Sequence, residues 1–260
     1  MLANVHGTTI FYEVAGEGLP LVFVHGLGAT SNVWNAQRVA LSRYFKVVTL
    51  DLPGSGRSDK SERQYSMERW VEQLAALADI ARLDNFVLIG HSMSTMLAQK
   101  FAAKYGNRLT GLVLCGPLTE LPPSGKEAML KRAETVLREG MLPVADMVLA
   151  GGLTAATREA NPALAGLMRE VLAANDPACY AGHCHALASG SAKADQAQIK
   201  CPTLILEGDQ DGVTPLSNAR AIAAAIPGAR LRIIPATAHL TMLERPEAFN
   251  AALTEFLAGL

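Results

Sequence analysis

The chain has 260 residues, half of them apolar, and its 23 basic and 24 acidic side chains give a formal net charge of −1. This length and apolar content exclude a disordered chain and predict one large domain with a buried core. The net charge near zero, with both signs spread along the sequence, argues against a nucleic-acid-binding protein. The lack of an apolar run of membrane-spanning length argues against a membrane partner.

Short apolar runs rich in β-branched residues alternate with longer stretches of helical spacing. Residues 8–15 alternate in part between apolar and polar side chains, which predicts an early strand in a hairpin. Continuous apolar runs predict further strands at residues 21–26, 46–51, 85–90, 109–116, 202–208 and 230–235. Such runs are typical of parallel strands covered on both faces. Their alternation with helical stretches predicts a mostly parallel sheet with right-handed crossovers.

Residues 118–198 interrupt this alternation, because they contain no convincing strand and are rich in Ala, Leu and Met at helical spacing. Their helical segments are broken at Pro143, Gly151–Gly152, Pro162 and Pro177. We therefore predict a core made of residues 1–117 and 199–260. Residues 118–198 are predicted to form a helical cap inserted between two strands of the same sheet.

The stretch GHSMST, residues 90–95, follows an apolar run and precedes a segment of helical spacing. A G-x-S-x-G pattern at such a turn is typical of a nucleophile elbow, which exposes the serine oxygen at the edge of a sheet. Ser92 is therefore the candidate nucleophile, although Ser94 stands in the place of the second glycine. We expect the Ser94 side chain to point away from the site. Ser94→Gly is then expected to be active and similarly stable or better packed.

A serine hydroxyl needs a base, and a group that orients the base, before it becomes a good nucleophile. Asp211 and His239 each follow an apolar run late in the chain, which gives the order Ser, Asp, His. Glu207 and Asp209 lie close to Asp211, and Asp209 is expected to form a turn. Glu120, after the run 109–116, is the alternative acid.

The stretch FVHGLG, residues 23–28, places two glycines between a predicted strand and a helix. This is typical of half of a dinucleotide-binding fingerprint, with Asp51 after the next strand as the ribose-binding acid. Ser31 stands where the third glycine of that fingerprint would lie. A hydrolase can use the same loop to direct a backbone N–H at a developing oxyanion.

Five segments, in order along the chain, resemble motifs of the α/β-hydrolase superfamily: FVHGLG, DLPGSGRS, GHSMS, EGDQDGVTP and AHLTMLERPEAF. The resemblance implies the α/β-hydrolase fold, with an eight-stranded, mostly parallel sheet flanked by helices and a helical lid inserted after strand 6. It implies that Ser92 is the nucleophile, His239 the general base and acid, and Asp211 the orienting acid. The backbone N–H groups of Leu27 and Met93 would form the oxyanion hole. No cofactor and no metal are implied.

Within the superfamily, the insertion is similar to the lid of 3-oxoadipate enol-lactonases and related small esterases over residues 132–146 and 176–188. The segment LAGGLT, residues 149–154, has two glycines where that pattern has an aromatic residue. The implied function is a serine hydrolase that cleaves a small to medium, largely apolar carboxylic ester or lactone through an acyl-enzyme on Ser92. The alternatives are a perhydrolase or haloperoxidase, a hydrolase of C–C bonds, and a non-catalytic small-molecule-binding protein.

The resemblance also changes the expectation for Asp51. Asp51 becomes a structural residue. Four cysteine and histidine side chains do not have the spacing to converge on one metal ion, so they are expected to be buried in the lid. They are Cys179, His183, Cys184 and His185. Three arginines are candidates to meet a substrate carboxylate, and the sequence does not select among them; they are Arg57, Arg132 and Arg138.

The four cysteines are too few for a disulfide framework, and the first residues lack the pattern of a signal peptide. We therefore expect a cytoplasmic protein. The sequence leaves the oligomeric state open, with a homodimer as one alternative.

Overall fold

The computed structural model describes residues 1–61 and 64–260. Its strands are β1 (Leu2–Val5), β2 (Thr8–Ala15), β3 (Pro20–Val24), β4 (Lys46–Leu50), β5 (Phe86–His91), β6 (Leu109–Cys115), β7 (Thr203–Gly208) and β8 (Arg230–Ile234). They form one eight-stranded sheet in the order β1-β2-β4-β3-β5-β6-β7-β8. The pairs β1–β2 and β2–β4 are antiparallel and all other neighbours are parallel. The predicted α/β fold with a mostly parallel eight-stranded sheet is thus confirmed.

Helices flank this sheet. They are α1 (Asn35–Leu41), α2 (Met67–Ile80), α3 (Met93–Tyr105), α4 (Pro123–Glu139), α5 (Leu142–Gly152), α6 (Ala155–Ala160), α7 (Pro162–Ala173), α8 (Pro177–Ser189), α9 (Leu216–Ala225), α10 (Thr241–Glu244) and α11 (Pro246–Leu257). Helix α2 begins directly after Ser66, whose Oγ caps it by accepting a hydrogen bond of 3.1 Å from the Arg69 N–H. In residues 1–61 and 64–260, no helix combines the length and hydropathy needed to cross a bilayer.

The central strands are buried on both faces, which explains their continuous apolar runs. On β5, Phe86 and Leu88 pack into one apolar cluster with residues of α2 and α3. Val87 and Ile89 point the other way, into a second cluster that includes residues of α11. Because successive side chains of a strand point to opposite faces, helices on both sides of the sheet require apolar residues at every position.

The helices α4 to α8 all lie between β6 and β7 in the chain, and we call them the cap helices. Helices α4, α5 and α8 share a small apolar cluster of their own, which includes Val136, Val144 and Cys184. A single β-bridge between Glu120 and Ser191 joins the two ends of the insertion. The division of the chain into a core and a separate cap of residues 118–198 stays a prediction.

The parallel strands β3, β5, β6, β7 and β8 bring their carboxyl ends to the same edge of the sheet. The loops after β3, β7 and β8 and the turn after β5 therefore lie side by side at this edge. Open α/β sheets bind their ligands there. These loops and this turn carry the five site residues expected from the sequence.

Candidate active site

Ser92 alone separates β5 from α3, and its backbone is strained. Its φ of 53° and ψ of −122° lie in a region that non-glycine residues rarely adopt. Its N–H donates to the Cys115 carbonyl at 2.9 Å. Its carbonyl accepts from the N–H of Thr95 at 2.8 Å and from the hydroxyl of Thr95 at 2.7 Å. These bonds hold the sharp turn that the sequence pattern predicts.

Two glycines provide space around this turn. A Cβ atom on Gly26 would lie 3.0 Å from Cβ of Ser92 and 2.8 Å from Nδ1 of His91. A Cβ atom on Gly90 would lie 2.6 Å from the carbonyl oxygen of Ser94. Both approaches are closer than ordinary contacts, so a side chain at either position would displace the turn.

His239 and Asp211 form a buried pair in which Nδ1 of His239 lies 2.6 Å from Oδ2 of Asp211. Thr214 adds a hydroxyl that lies 2.9 Å from the same carboxylate oxygen and 3.1 Å from the same ring nitrogen. The other carboxylate oxygen accepts the N–H groups of Val213 at 2.7 Å and Thr214 at 2.9 Å. The imidazole orientation is therefore fixed by a carboxylate that is itself held by the backbone. Thr214 is not among the residues expected from the sequence.

The carboxyl groups on β7 and in the loop after it differ in their surroundings and partners. Burial acts to raise the pKa of Asp211, but the hydrogen bond and positive charge of His239 outweigh it and hold the pKa far below its usual range. Burial and the negative charge of Asp211 raise the pKa of Glu207 to about 9, so Glu207 keeps its proton at neutral pH. Asp209 accepts the N–H of Thr237 at 3.2 Å, which is a turn contact of the kind expected. The alternative acid Glu120 instead accepts a hydrogen bond from Ser191 at 2.8 Å.

His91 packs against His239, with ring centroids 4.7 Å apart. Its Nε2 lies 3.0 Å from the His239 carbonyl oxygen. Burial, reinforced by the positive field of His239, lowers the pKa of His91 to about 3. The ring is therefore neutral at ordinary pH and donates its Nε2 proton to that carbonyl.

The loop after β3 is held by His25, which is completely buried. Its Nδ1 lies 2.8 Å from the Gly26 carbonyl oxygen, and its Nε2 accepts the N–H of Leu52 at 3.0 Å. Burial lowers the pKa of His25, in agreement with a neutral ring whose proton resides on Nδ1.

Ser94 is tied to the same loop. Its hydroxyl donates a hydrogen bond of 2.5 Å to the carbonyl oxygen of His25, and its side chain is buried. The sequence pattern predicts that Ser94 is a packing departure and that Ser94→Gly is similarly stable or better packed. The structure instead gives this serine a specific hydrogen bond that glycine cannot form.

The two backbone N–H groups assigned to the oxyanion hole, those of Leu27 and Met93, have no hydrogen-bond acceptor among the described residues. Leu27 follows β3, and Met93 is the first residue of α3, where a helix has no internal partner for its N–H groups. The positive end of the α3 dipole adds to the attraction for negative charge at this point.

Ser92 and His239 line one cavity of about 360 Å³, together with Leu27. No hydrogen bond joins the two side chains in the part of the chain that the structure describes, and such bonds often form only with substrate present. Asp211 lies behind His239, and Met93 is fully buried beneath the turn. The cap helices α4, α5, α7 and α8 supply much of the remaining, mostly apolar wall.

The dinucleotide alternative fails at Asp51. Its Oδ1 accepts the N–H of Ser31 at 2.7 Å, and its Oδ2 accepts both the N–H of Arg57 at 2.9 Å and the Nε–H of Arg57 at 3.0 Å. Both carboxylate oxygens are thus occupied in holding two loops together, and a ribose could not take their place without breaking these bonds. Asp51 therefore contributes to the fold rather than to ligand binding.

Of the cysteine and histidine residues on α8, Cys179, His183 and Cys184 are buried as expected, but His185 is exposed, so the expectation is wrong for that residue. Two of the buried side chains have structural partners. His183 Nε2 lies 2.8 Å from the Pro53 carbonyl oxygen, and Cys179 Sγ lies 3.5 Å from the Lys60 carbonyl oxygen. Among residues 1–61 and 64–260, no group of three or more His, Cys, Asp or Glu side chains is arranged to hold a metal.

Comparison with known proteins agrees with this geometry. The family model described as alpha/beta hydrolase fold matches residues 20–246. The 2-hydroxy-6-oxo-2,4-heptadienoate hydrolase of Pseudomonas putida is 30% identical over 94% of this chain and 91% of that protein. The enol-lactonase of Burkholderia xenovorans superimposes with a TM-score of 0.95 at 28% identity, covering 99% of this chain and 100% of that one. The malate-bound esterase of Thermogutta terrifontis has a TM-score of 0.94 at 30% identity, covering 100% of this chain and 98% of that one. The chain therefore belongs to the α/β-hydrolase family and is a hydrolase.

Proposed function

We propose that the protein is a serine hydrolase that cleaves a carboxylic ester or lactone through an acyl-enzyme on Ser92. One observation carries the proposal. A strained serine, a histidine paired with a buried carboxylate, and a backbone N–H that has no acceptor among the described residues meet at one small, mostly apolar cavity. This combination supplies a nucleophile, a base and an oxyanion donor, which together define acyl transfer.

In the first step, Ser92 Oγ attacks the carbonyl carbon and its proton passes to Nε2 of His239. The new C–O bond places negative charge on the carbonyl oxygen, which the N–H groups of Leu27 and Met93 stabilise. Each such donor contributes about 2.7–4 kcal/mol in comparable sites. The Asp211 carboxylate stabilises the imidazolium and keeps Nδ1 protonated.

In the second step, the tetrahedral intermediate expels the alcohol, which takes the proton from His239. In a lactone, this alcohol stays attached to the acyl group as its other end. A water molecule then gives its proton to His239 and attacks the acyl-enzyme. Collapse releases the carboxylic acid and returns the proton to Ser92, so no cofactor is consumed.

The size and wall of the cavity favour a small substrate. A volume of about 360 Å³ lies at the lower end of the range for ligand cavities, about 300–1,000 Å³. The related enol-lactonase and esterase support lactones and esters as the compounds to test first.

A C–C bond hydrolase is the second candidate, and the Pseudomonas putida relative favours it. The same residues would serve, but the leaving group would be a carbanion equivalent that must be protonated on carbon. Hydrolysis of a vinylogous 1,5-diketone faster than that of every ester and lactone tested would select this candidate.

Purified protein tested against p-nitrophenyl esters, lactones and enol-lactones examines the main proposal directly. We expect ester or lactone turnover and stoichiometric labelling by a serine-reactive phosphonate, both abolished by Ser92→Ala. Turnover by His239→Ala should fall by a similar factor. An active Ser92→Ala protein would exclude the mechanism. Halide oxidation with peroxide faster than ester turnover would indicate a haloperoxidase, and absence of labelling would indicate a binding protein.

We further propose a cytoplasmic location, because all four cysteines are buried and unpaired. Unpaired thiols are typical of a reducing compartment.

A further inference from the structure

Arg132 lies on the cap helix α4 and lines the cavity that contains Ser92 and His239. Its Nε atom is buried and has no hydrogen-bond partner among the described residues. One of its terminal nitrogens contacts Met147 Sδ at 3.8 Å, and a thioether is a weak acceptor. Burial of part of a guanidinium without a partner is unfavourable unless a ligand or water supplies the acceptor.

The other two arginines considered from the sequence already have partners. Arg57 lies 3.0 Å from the Asp51 carboxylate and 3.7 Å from Glu13. Arg138, six residues after Arg132 on α4, is exposed and pairs with Glu139 at 2.5 Å. The structure thus distinguishes the three, and Arg132 is the one that faces the site.

Tyr180, on α8, presents a second donor to the same cavity. Its side chain is buried, and its hydroxyl has no hydrogen bond of good geometry in residues 1–61 and 64–260, although the Arg132 guanidinium lies close to it. Burial raises the pKa of Tyr180 to about 12, although the positive charge of Arg132 and its polar contact with the hydroxyl act to lower it. The phenol therefore keeps its proton and can donate a hydrogen bond at neutral pH.

No Asp or Glu lines the cavity in the part of the chain that is described, so nothing there balances the charge of Arg132. The surrounding cap wall is apolar and includes Leu118, Met129 and Leu149. A guanidinium and a phenol O–H that converge in such surroundings match the acceptor geometry of a carboxylate. The apolar wall excludes water and strengthens that contact.

We propose that Arg132 and Tyr180 form a subsite for a carboxylate carried by the substrate. The substrate class is then an ester or lactone with a free carboxylate, joined by a short apolar chain to the carbonyl that Ser92 attacks. That the substrate is an ester or lactone rests on the proposed function. That Arg132 and Tyr180 bind a carboxylate does not. This assignment concerns recognition alone and adds no covalent step.

The test compares matched ester pairs that differ by one end group. Monomethyl adipate and methyl hexanoate place a carboxylate or a methyl at the end of the acyl chain. 4-Acetoxybutanoate and butyl acetate place a carboxylate or a methyl at the end of the alcohol chain. The rate of hydrolysis is measured from the protons that the reaction releases. We expect wild-type protein to prefer the anionic member at least tenfold in kcat/KM in one pair; no preference in either pair would overturn the proposal.

Variants then assign the preference to the two side chains. Arg132→Gln should lose about 10- to 100-fold in kcat/KM for the preferred anionic ester, mainly through KM, and change its neutral partner less than about twofold. Arg132→Lys should recover part of the loss, and Tyr180→Phe should lose about 3- to 10-fold. Arg138→Gln, on the same helix, is the control and should behave as wild type. Equal losses on both members of the pair would show a structural role and overturn the proposal.

A binding measurement separates this proposal from the hydrolytic one. Ser92→Ala protein is titrated calorimetrically with monomethyl adipate and with 4-acetoxybutanoate, with and without Arg132→Gln. Saturable binding of either anion that Arg132→Gln weakens at least tenfold supports the subsite even if wild-type protein hydrolyses no ester. Binding of neither anion, or binding unaffected by Arg132→Gln, would overturn it even in an active esterase. Circular dichroism and thermal melting confirm that each variant is folded.

Discussion

The hydroxyl of Ser94 donates a hydrogen bond of 2.5 Å to the carbonyl oxygen of His25, and so joins the first turn of α3 to the loop after β3. The proposed oxyanion donors lie on the two sides of this bond, Met93 on the helix and Leu27 on the loop. A change at Ser94 can therefore alter the spacing of the two donors without touching Ser92.

We expect Ser94→Ala and Ser94→Gly each to lower the free energy of unfolding by about 1–3 kcal/mol, because the buried His25 carbonyl would lose its partner. The kcat of ester hydrolysis should fall about 10-fold or more while KM changes little, because the oxyanion is bound only in the transition state. Thermal melts and steady-state kinetics measure both effects. Unchanged stability together with unchanged kcat would instead support the expectation from the sequence pattern that glycine is tolerated here.

Asp211→Asn should lower kcat by about 10³- to 10⁴-fold with little effect on the fold, because an amide keeps the shape but neither fixes the tautomer nor stabilises the imidazolium. Asp209→Asn is the matched control, since Asp209 lies two residues away and accepts a turn N–H. Glu120→Gln is a second control for the alternative acid. A large loss in Asp209→Asn or Glu120→Gln, with an active Asp211→Asn, would reassign the acid.

The sheet could be predicted from the sequence because strands buried on both faces require continuous apolar runs, which are conspicuous. The predicted strand ends therefore agree with the structure to within two residues. The sequence does not predict the edge strand β1 separately, since its four residues alternate between exposed and buried and pair only with β2. A short edge strand with one buried face leaves a weak pattern.

The locations of the candidate site residues could be predicted for a related reason. In a parallel sheet, a residue just after a strand falls at the carboxyl edge, so position in sequence gives position in space. The hydrogen bond of Ser94 and the position of Arg132 in the cavity could not be found this way, because they depend on which carbonyl or cavity a side chain meets. The sequence does hold a signal for Arg132, since it shares the helical face of Met129, Ala133 and Val136. A charged residue on an otherwise apolar face indicates a buried polar function.

The raised pKa of Glu207, about 9 against an ordinary 4.5, makes stability fall as pH rises. Below pH 4.5 the side chain is protonated in both the folded and the unfolded protein. Between pH 4.5 and about 9 the unfolded chain loses this proton while the folded protein keeps it, so the folded state becomes relatively less stable. Glu207→Gln keeps a neutral group of the same size and removes this dependence.

The Tm of Glu207→Gln minus that of wild type should therefore increase steadily from pH 5 to pH 9, as measured by thermal melts in buffers of matched ionic strength. Asp211 does not contribute to the pH dependence of the Tm between pH 5 and pH 9, because its pKa is held far below this range. A Tm difference that stays constant with pH would mean that Glu207 is ionised in the folded protein.

Gly28 lies where the loop after β3 meets the cap. Its φ is +73°, and a Cβ atom there would lie 2.8 Å from Cε2 of Tyr180 and 3.0 Å from Cδ2 of Leu172. Its carbonyl accepts a hydrogen bond of 2.8 Å from Asn175, just before α8. An alanine would therefore strain the backbone and also push the cap away from the loop that carries the Leu27 N–H.

Gly228→Ala is a matched control, because Gly228 has nearly the same φ, +74°, but a Cβ atom there would meet no described atom within 4 Å. We expect Gly228→Ala to cost only the backbone strain, about 1 kcal/mol, and to leave kcat/KM unchanged. Gly28→Ala should cost about 2–4 kcal/mol, because displacement of packed side chains adds to the strain, and should lower kcat/KM at least tenfold. Denaturant unfolding and ester kinetics on both variants measure the difference. If the two alanines had equal effects on stability and on kcat/KM, contact between the loop and the cap would not contribute to the geometry of the site.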